Sequence, residues 1–360
     1  MSEWFHFIAY EHIWKMMAQV VTAYVIHSDR LCNPDYAQFC RDFCDQVGKF
    51  RDLRGRFPET LWPLVRRFSR CGRTLQSTIA SCKSILTPEI RRRIAYAQAN
   101  QCPKDSHTLV DATIELKIMK GEIGFHTPLA NEGEVINGIA GDCLLAVFEA
   151  AFPITVYVIG MMNYAISHPD YADTLRNEVL SALSSTGGEW PVEILDRMPR
   201  LEAFARETAR CDLTSIFTAT RRLLKPVYFE SIGRTLARNT SVTLPVNCYH
   251  QNPDFYPNPG TFEACRFYNS EANTCEPRAA TVNSSFLSFG CGAEMCPGRA
   301  FGMRQVQLTF AKILISFDFD SYPMKGVKMS NGVSGPAATL NQDIIFQWRR
   351  RSFRRSGLRM

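Results

Sequence analysis

The sequence predicts a mostly α-helical protein with a small β portion, and three observations support this fold class. Hydrophobic residues make up 46% of the 360 residues and charged residues 21%, which is typical of a globular chain rather than a disordered one. Apolar residues recur at helical spacing through most of residues 1–215 and again after Gly298. Short β-prone pieces separated by turn residues are concentrated in residues 217–250. Because no clear linker or internal repeat divides the chain, we expect one domain over residues 1–360.

Residues 1–130 are predicted to be helices joined by polar turns. The first of these helices is indicated by apolar residues at helical spacing, namely Ile13, Met16, Met17, Val20, Val21 and Tyr24. The opening residues also include Glu3, Glu11 and Lys15 and lack a basic segment before an apolar core. They are therefore not typical of a secretory signal peptide.

A strongly basic stretch runs from Lys49 to Arg93. It contains twelve Lys and Arg residues against three acidic ones, so its local net charge of +9 exceeds the +6 of the whole chain. Within it, RFPETLWPLVRRF places apolar side chains among arginines, as in a basic amphipathic surface. Two interpretations stay open, a solvated face and contact with an anionic membrane surface. Nucleic acid is not expected as a partner, because no recognised binding module accompanies the charge.

Residues 136–166 are the most apolar segment of the chain. By length they could span a bilayer, which takes about 20 residues. We expect instead a helix that is buried on all its sides within a large helical core, because the segment contains Glu149, Pro153 and Asn163. We expect Pro153 to kink this helix, because proline removes one backbone donor.

A second helical segment, residues 197–215, carries Glu207 and Arg210 at a spacing that lets the two charges pair. Alone, such a pair is equally typical of an ordinary surface. Arg266, in the stretch FEACRF, could join it as a second donor to Glu207 and build a buried Arg–Glu–Arg cluster. Between these residues, VYF, SVTLPV and NCYH are β-prone, and residues 251–288 read as a long ordered loop.

Residues 289–298, FGCGAEMCPG, form a glycine-framed loop around a cysteine. Gly292 and Gly298 permit positive φ or close approach of a flat ligand, because they lack a Cβ atom. Cys296 precedes a helix expected to start between Pro297 and Ala300, and the N-terminus of a helix favours a thiolate. With Phe289 excluding water, such a thiolate would suit haem iron as an axial ligand. A buried structural cysteine is the alternative, and the other cysteines show no disulfide or zinc-finger spacing.

Taken together and in this order, the three motifs resemble those of the cytochrome P-450 superfamily of haem-thiolate monooxygenases. The family's pattern Phe-x-x-Gly-x-Arg-x-Cys-x-Gly is met by Phe289, Gly292, Cys296 and Gly298. Its Glu-x-x-Arg motif and its following arginine loop are met by the stretches that hold Glu207, Arg210 and Arg266. The resemblance extends from residue 1 to about residue 350. Stretches such as LCNPDYAQFC and SHPDYADTLRNEV look most like fungal members that oxidise terpenoids and indole-diterpenes.

The resemblance implies roles for individual residues. Cys296 would be the proximal iron ligand of haem b, and Phe289, Gly292 and Gly298 would line the cofactor. Arg221 would contact a haem propionate, unless it is a solvent-exposed arginine. The apolar helix would be the central helix on the distal side of the haem. There, Thr155 is the hydroxyl left for proton delivery, although it could equally bond to its own helix backbone. Glu207, Arg210 and Arg266 would form the structural ion cluster.

The resemblance also implies a haem-dependent monooxygenase that oxidises a hydrophobic secondary metabolite, such as a terpenoid, with dioxygen. An NADPH-dependent reductase would supply electrons and contact Arg299, Arg304 and Lys312. The location would be the cytosolic face of the endoplasmic reticulum membrane, or the cytosol if the N-terminal anchor is missing.

Three departures favour an alternative, a non-catalytic truncated or degenerate remnant with little or no haem binding. Glu294 replaces a basic haem contact and would repel a propionate by about 1 kcal/mol. Pro153 and Ile154 stand where the family has an acid and a threonine. The chain is also shorter than family members, so we expect a cytochrome P-450 fold that lacks its N-terminal part.

Overall fold

The fold is dominated by α-helices, as the sequence predicts. The computed structural model describes residues 3–29, 31–99, 108–124, 131–212, 217–321, 332–334, 337–339 and 344–351. Within these ranges the helices are α1 (Ala9–Val25), α2 (Pro34–Arg54), α3 (Trp62–Phe68), α4 (Arg70–Gln98), α5 (Leu109–Met119), α6 (Glu132–Ser167), α7 (Pro169–Ser185), α8 (Pro199–Cys211), α9 (Val246–His250) and α10 (Arg299–Ser316).

The β portion consists of short antiparallel strands. They are β1 (Phe5–Ile8), β2 (Phe217–Arg222), β3 (Val227–Phe229), β4 (Arg234–Leu236), β5 (Ser241–Pro245), β6 (Tyr268–Asn269), β7 (Thr274–Cys275), β8 (Phe317–Ser321), β9 (Gly332–Ser334), β10 (Ala337–Thr339) and β11 (Ile345–Arg350). One sheet has three strands in the order β1-β11-β8. The others described are the pairs β2-β5, β3-β4, β6-β7 and β9-β10.

Strand β1 corrects the prediction that residues 1–130 are entirely helical. It pairs with β11, and Phe7 lies opposite Phe346 in the register. The ring of Phe7 stacks on Trp348 with 4.3 Å between ring centroids. Because the partner strand lies near the other end of the chain, no local sequence pattern could indicate it.

The chain packs as two compact units, one of residues Glu11–Phe152 and one of Met1–Tyr10 with Pro153–Met360. The first unit holds α1 to α5 and the start of α6. In it, the buried guanidinium of Arg93 bonds to Asp111, with 2.6 Å between Nη1 and Oδ1. Arg93 also donates to the carbonyl of His27 at 3.1 Å. The single domain over residues 1–360 stays a prediction.

Helix α6 extends the predicted segment 136–166 slightly at both ends. Its C-terminal half is enclosed, since every residue from Ile154 to Met162 is buried. The expectation of burial on all sides is wrong for the N-terminal half, where Leu145 is 56% exposed. Polar residues at 137, 142 and 149 recur there and leave only one apolar face. The most apolar window is long enough to cross a bilayer, but 61% of it is buried inside the protein.

Helix α8 lies at the centre of the second unit, and almost all of its residues are buried. Phe204 on this helix stacks with Phe310 of α10 at 6.0 Å and with Tyr171 of α7 at 5.9 Å between ring centroids. The described helix ends at Cys211, earlier than the predicted residue 215, and residues 213–216 lie outside the described ranges.

Helix α9 corrects another prediction, because NCYH was expected to be a β piece. Residues Val246–His250 form one helical turn directly after β5. The turn buries Val246 and His250, and the ring of His250 makes two hydrogen bonds in the interior. Tertiary contacts of this kind override the weak strand preference of a short segment.

Candidate functional site

The structure brings Glu207, Arg210 and Arg266 into one buried cluster. Arg210 donates through Nε to Glu207 Oε2 and through Nη2 to Oε1, both at 2.8 Å. Arg266 adds a bond from Nε to Oε1 of the same carboxylate at 3.0 Å. The side chains of Glu207 and Arg210 are fully buried. Two cations therefore face one carboxylate away from solvent.

The remaining polar atoms of the cluster are also paired. Arg210 donates through Nη1 to the carbonyls of His250 at 2.8 Å and Pro259 at 2.7 Å. The backbone N–H of Glu263 donates to Glu207 Oε1 at 3.0 Å. Although burial works against the charge, hydrogen bonding to Glu207 raises the pKa of Arg210 above its usual value. The arrangement keeps the charges in place and does not move a proton.

Two residues that the sequence analysis missed connect this cluster to the cysteine loop. His250 donates through Nδ1 to the carbonyl of Arg210 at 3.0 Å, and its Nε2 accepts from the backbone N–H of Leu287 at 2.9 Å. Ser288 donates through Oγ to the carbonyl of Ala209 at 2.7 Å. A histidine and a serine in polar stretches carry no local signal, so only the fold shows these contacts.

The cysteine loop, residues 289–298, has few internal bonds. The N–H of Cys296 donates to the carbonyl of Phe289 at 2.8 Å. Gly290 and Gly292 adopt left-handed backbone with φ of 75° and 71°, as glycine favours. Gly298 has a φ of −84°, so its backbone conformation does not require glycine. Helix α10 begins at Arg299, within the predicted range.

The two cysteines of the loop have different surroundings. The Cys296 side chain is exposed at the N-terminus of α10, whereas Cys291 packs beside the buried residues Val246 and Leu287. Phe289 is half-buried, with 6.2 Å between its ring centroid and that of Phe286. Cys296 is thus the thiol of this loop that an external ligand can reach.

The loop fits a flat cofactor that needs one protein ligand. A side chain added at Gly292 or Gly298 would meet no described atom within 4 Å, so this side of the loop is open. Among the described residues, no group of three or more His, Cys, Asp or Glu residues could hold a bare metal ion. Haem iron would need only one thiolate from the protein, because the macrocycle supplies the other ligands that hold the iron. The one exposed thiol of this loop, that of Cys296, therefore fits haem better than a free metal ion.

The remaining predicted residues lie on different elements. Arg221 is exposed within strand β2, and its Nη1 donates to the carbonyl of Thr220 at 3.0 Å. Strand β2 runs beside the loop, since a side chain at Gly290 would come within 3.1 Å of Thr218 Oγ1. Thr155 is fully buried in the enclosed half of α6. Glu294 is exposed at the end of a short 3-10 turn.

Comparison with known proteins places these features in one family. A model of the family described as Cytochrome P450 matches residues 154–344. Bicoumarin synthase ktnC of Aspergillus niger is 31% identical over 353 residues, which cover 98% of this chain and 84% of that protein. Cytochrome P450 monooxygenase verB of Clonostachys rogersoniana is 29% identical, and the match covers 91% of this chain but only 64% of that protein. The fungal origin of both relatives agrees with the resemblance to fungal members.

A solved structure supports the same fold. The retinoic-acid-bound cyanobacterial CYP120A1 matches with a TM-score of 0.71 at 19% sequence identity, over 96% of this chain and 70% of that one. At this identity the likeness concerns the fold alone. Together with the family match and the relatives, it leads to one conclusion: the chain belongs to the cytochrome P450 family.

Proposed function

We propose that the chain binds haem b through the thiolate of Cys296 and oxidises a hydrophobic secondary metabolite. One observation carries the proposal, namely the exposed Cys296 thiol in an open glycine loop at the start of α10. When bound, haem would activate dioxygen with two electrons, so that one oxygen atom enters the substrate and the other leaves as water.

The residues around the loop would hold the cofactor and exclude water. Phe289 would cover the thiolate ligand, and the open faces of Gly292 and Gly298 would admit the macrocycle. Arg221, exposed on the strand that runs beside the loop, would pair with a propionate. Glu294 would repel the same group.

The buried stretch 154–162 of α6 offers apolar residues and the hydroxyl of Thr155. Ile154 and Thr155 are both fully enclosed, so water enters this part of the helix poorly. We assign Thr155 to proton delivery, since it is the hydroxyl next to the positions where Pro153 and Ile154 replace the family's acid and threonine. Substitution of Thr155 by Val should then lower product formation per NADPH consumed without changing haem content.

Two substrate classes are worth testing. The sequence resemblance to fungal members favours a terpenoid, and the name of the Aspergillus niger relative supports a coumarin that is coupled to a second coumarin. The products differ in mass. Hydroxylation adds one oxygen atom to the substrate, whereas oxidative coupling joins two substrates and removes two hydrogen atoms.

A reductase with an acidic surface would supply the electrons. Of the three cations on α10, Arg304 is offset by Asp196, with 3.1 Å between Nη1 and Oδ1. Arg299 donates to the carbonyl of Cys296 at 2.8 Å. Lys312 is exposed above the ring of Trp190 at 4.8 Å from its centroid, so its charge is the most available to an acidic partner.

We further propose that the α3 surface holds the chain on the cytosolic face of the endoplasmic reticulum membrane. An apolar groove of about 310 Å³ is lined by Leu53, Phe57, Leu61, Leu64, Val65, Phe68 and Ser69. Leu64 is 53% exposed and Phe68 63%. Exposed arginines follow the same stretch, at positions 56, 66, 67, 70 and 73. Apolar side chains ringed by cations suit an anionic lipid surface.

Vesicle sedimentation tests the membrane surface. Substitution of Leu64 and Phe68 by Ser should strongly reduce binding to vesicles that contain phosphatidylserine. Leu116, a leucine on α5 that is 46% exposed, serves as the control, and its substitution by Ser should leave binding unchanged. Equal binding of both variants would contradict the assignment of α3.

A reconstituted assay tests the enzymatic function. The chain is expressed with a haem supply, mixed with a fungal NADPH-dependent reductase, and given a terpenoid or a hydroxycoumarin. We expect NADPH-dependent product with the oxygenated or coupled mass, and none from the Cys296→Ala variant. A chain that takes up no haem under these conditions would favour the non-catalytic remnant.

A further inference from the structure

Helix α8 is joined to the residues just before the cysteine loop by the imidazole ring of His250 and by the hydroxyl of Ser288. We propose that His250 is the positioning residue that fixes the loop on α8, and that it does so only as neutral imidazole. Thiolate ligation by Cys296 would then be lost in mild acid. The inference deepens the proposed function and rests on it, because Cys296 must be the haem ligand for the spectroscopic consequence to appear.

The ring of His250 bridges two backbones. Its Nδ1–H donates to the carbonyl of Arg210 at 3.0 Å, and its Nε2 accepts from the N–H of Leu287 at 2.9 Å. The carbonyl of Arg210 lies in the last turn of α8, where carbonyls have no partner within the helix. The ring is fully buried, so water cannot replace either bond.

From Leu287 the connection continues directly to the cysteine. The next residue, Ser288, bonds through Oγ to the carbonyl of Ala209 at 2.7 Å, one position before Arg210 on α8. The carbonyl of Phe289 then accepts from the N–H of Cys296 at 2.8 Å. Three consecutive residues thus connect the end of α8 to the Cys296 backbone, and His250 holds the first of them.

Only one protonation state of His250 satisfies both partners. The carbonyl of Arg210 needs a donor, and the N–H of Leu287 needs an acceptor. Neutral imidazole with its proton on Nδ1 provides both. Protonated imidazole carries a hydrogen on each nitrogen, so Nε2–H and the N–H of Leu287 would face each other. Protonation must therefore break the hydrogen bond between Nε2 and the N–H of Leu287.

The surroundings of His250 oppose protonation down to mild acid. Burial is the main cause, and with the guanidinium groups of Arg210 and Arg206 it lowers the pKa of His250 to about 4. The hydrogen bond to the carbonyl of Arg210 and, less strongly, the charge of Glu207 act in the opposite direction. The other faces are aromatic, with Phe286 stacked at 5.3 Å and Tyr256 at 6.4 Å between ring centroids.

The sign of the pH effect follows from this lowered pKa. In the unfolded chain a histidine takes up its proton near pH 6.5, whereas in the folded chain His250 resists it to about pH 4. The contribution of His250 is complete above about pH 6.5 and is lost as the pH falls toward 4.

Substitutions can separate the hydrogen bonds of His250 from its bulk. Gln can present an acceptor near the position of Nε2 and does not titrate, so His250→Gln should keep the bond to Leu287. His250→Phe fills the same volume without accepting. His168 is the matched control, because its Nδ1 contacts the carbonyl of Tyr164 at 2.9 Å and it does not reach the cysteine loop.

The test is an acid titration of the reduced, carbon-monoxide-bound haem protein from pH 7.5 to about 3. For the unsubstituted chain we expect the thiolate band near about 450 nm to disappear with a midpoint between about pH 4 and 6.5. His250→Gln should move this midpoint down by about one pH unit or more. His250→Phe should lose at least half of the band already at pH 7.5, and His168→Gln should titrate like the unsubstituted chain.

Two results would overturn the proposal: His250→Gln with an unchanged midpoint, or His250→Phe with a full thiolate band at pH 7.5. Failure of the proposed function looks different, since no variant would then show the band. In that case amide hydrogen exchange of residues 286–290 tests whether His250 positions the loop. We expect at least about tenfold faster exchange of the Leu287 amide in His250→Phe than in His168→Gln. Equal exchange rates would overturn the positioning role independently of haem.

Discussion

The Glu207 cluster and the cysteine loop are opposite kinds of site within one unit of the fold. In the cluster, both oxygens of the carboxylate accept hydrogen bonds, and the side chains of Glu207 and Arg210 are inaccessible to solvent. In the loop, the Cys296 side chain is exposed and the glycines face open space within the described part of the chain. The cluster is therefore closed to ligands and supports the loop, whereas the loop is open to a ligand.

The two sites also differ in whether their charged groups depend on partners. Buried charges cost free energy unless every partner is present, so the cluster tolerates no missing member. The loop carries its one acid, Glu294, in an exposed position where solvent screens it. Substitutions should therefore reduce folding stability when they fall in the cluster, and ligand binding when they fall in the loop.

The largest effect is expected from removal of the central carboxylate. Glu207→Ala leaves Arg210 and Arg266 buried without their anion and should lower the free energy of unfolding by about 3–5 kcal/mol. Urea denaturation followed by circular dichroism measures it. Glu263→Ala is the control, because Glu263 pairs with Arg266 at 3.1 Å from a side chain that is 39% exposed. That loss should be about 0–1 kcal/mol.

If Glu207→Ala does not fold, Glu207→Gln keeps the shape of the side chain and removes only its charge. Similar losses in the Glu207 and Glu263 variants would contradict the view that the cluster depends on its buried charges.

A smaller effect on stability is expected at Asp212, an acid that is held by a hydroxyl group, whereas Glu207 is held by two guanidinium groups. Asp212 follows α8 and accepts from the hydroxyl of Tyr164 at 3.3 Å. Its other oxygen packs so closely on Gly160 that an added side chain would come within 2.3 Å. Burial raises the pKa of Asp212 to about 6. The carboxylate therefore destabilises the folded chain at neutral pH.

Substitution of Asp212 by Asn should stabilise the chain by about 1–2 kcal/mol at pH 8. The gain should disappear below about pH 4, where both folded and unfolded chains hold a neutral carboxyl group. Denaturation at pH 8 and at pH 4 measures the difference. Equal effects at both pH values would show that charge is not the cause.

The smallest effect is expected at the loop itself. Glu294→Arg should slow haem dissociation by about fivefold or more, because loss of the repulsion between Glu294 and a propionate is alone worth about 1 kcal/mol. Transfer of haem to an excess of apomyoglobin measures the rate. Glu271→Arg makes the same charge change on the exposed β6–β7 turn and should leave the rate unchanged. Equal rates in both variants would contradict the view that the charge at position 294 weakens haem binding.

The sequence predicted the parts of the site that depend on short spacings. Glu207 and Arg210 are three residues apart on one helix, and the loop carries its glycines within ten residues. The anchors were missed because they join distant segments, as when Ser288 reaches Ala209 across 79 positions. Strand β1 was missed for the same reason. The half-exposed start of α6 was misjudged because composition was weighed over its whole length, although its two halves differ in polar spacing.

The central claim is that Cys296, and not its neighbour in the loop, is the ligand of haem iron. The most direct measurement is the carbon-monoxide difference spectrum of the reduced, haem-supplied chain. We expect a band near about 450 nm that is abolished in Cys296→Ala and retained in Cys291→Ala, the matched cysteine five positions earlier. A band that survives in Cys296→Ala, or that is absent from the unsubstituted chain, would contradict the account.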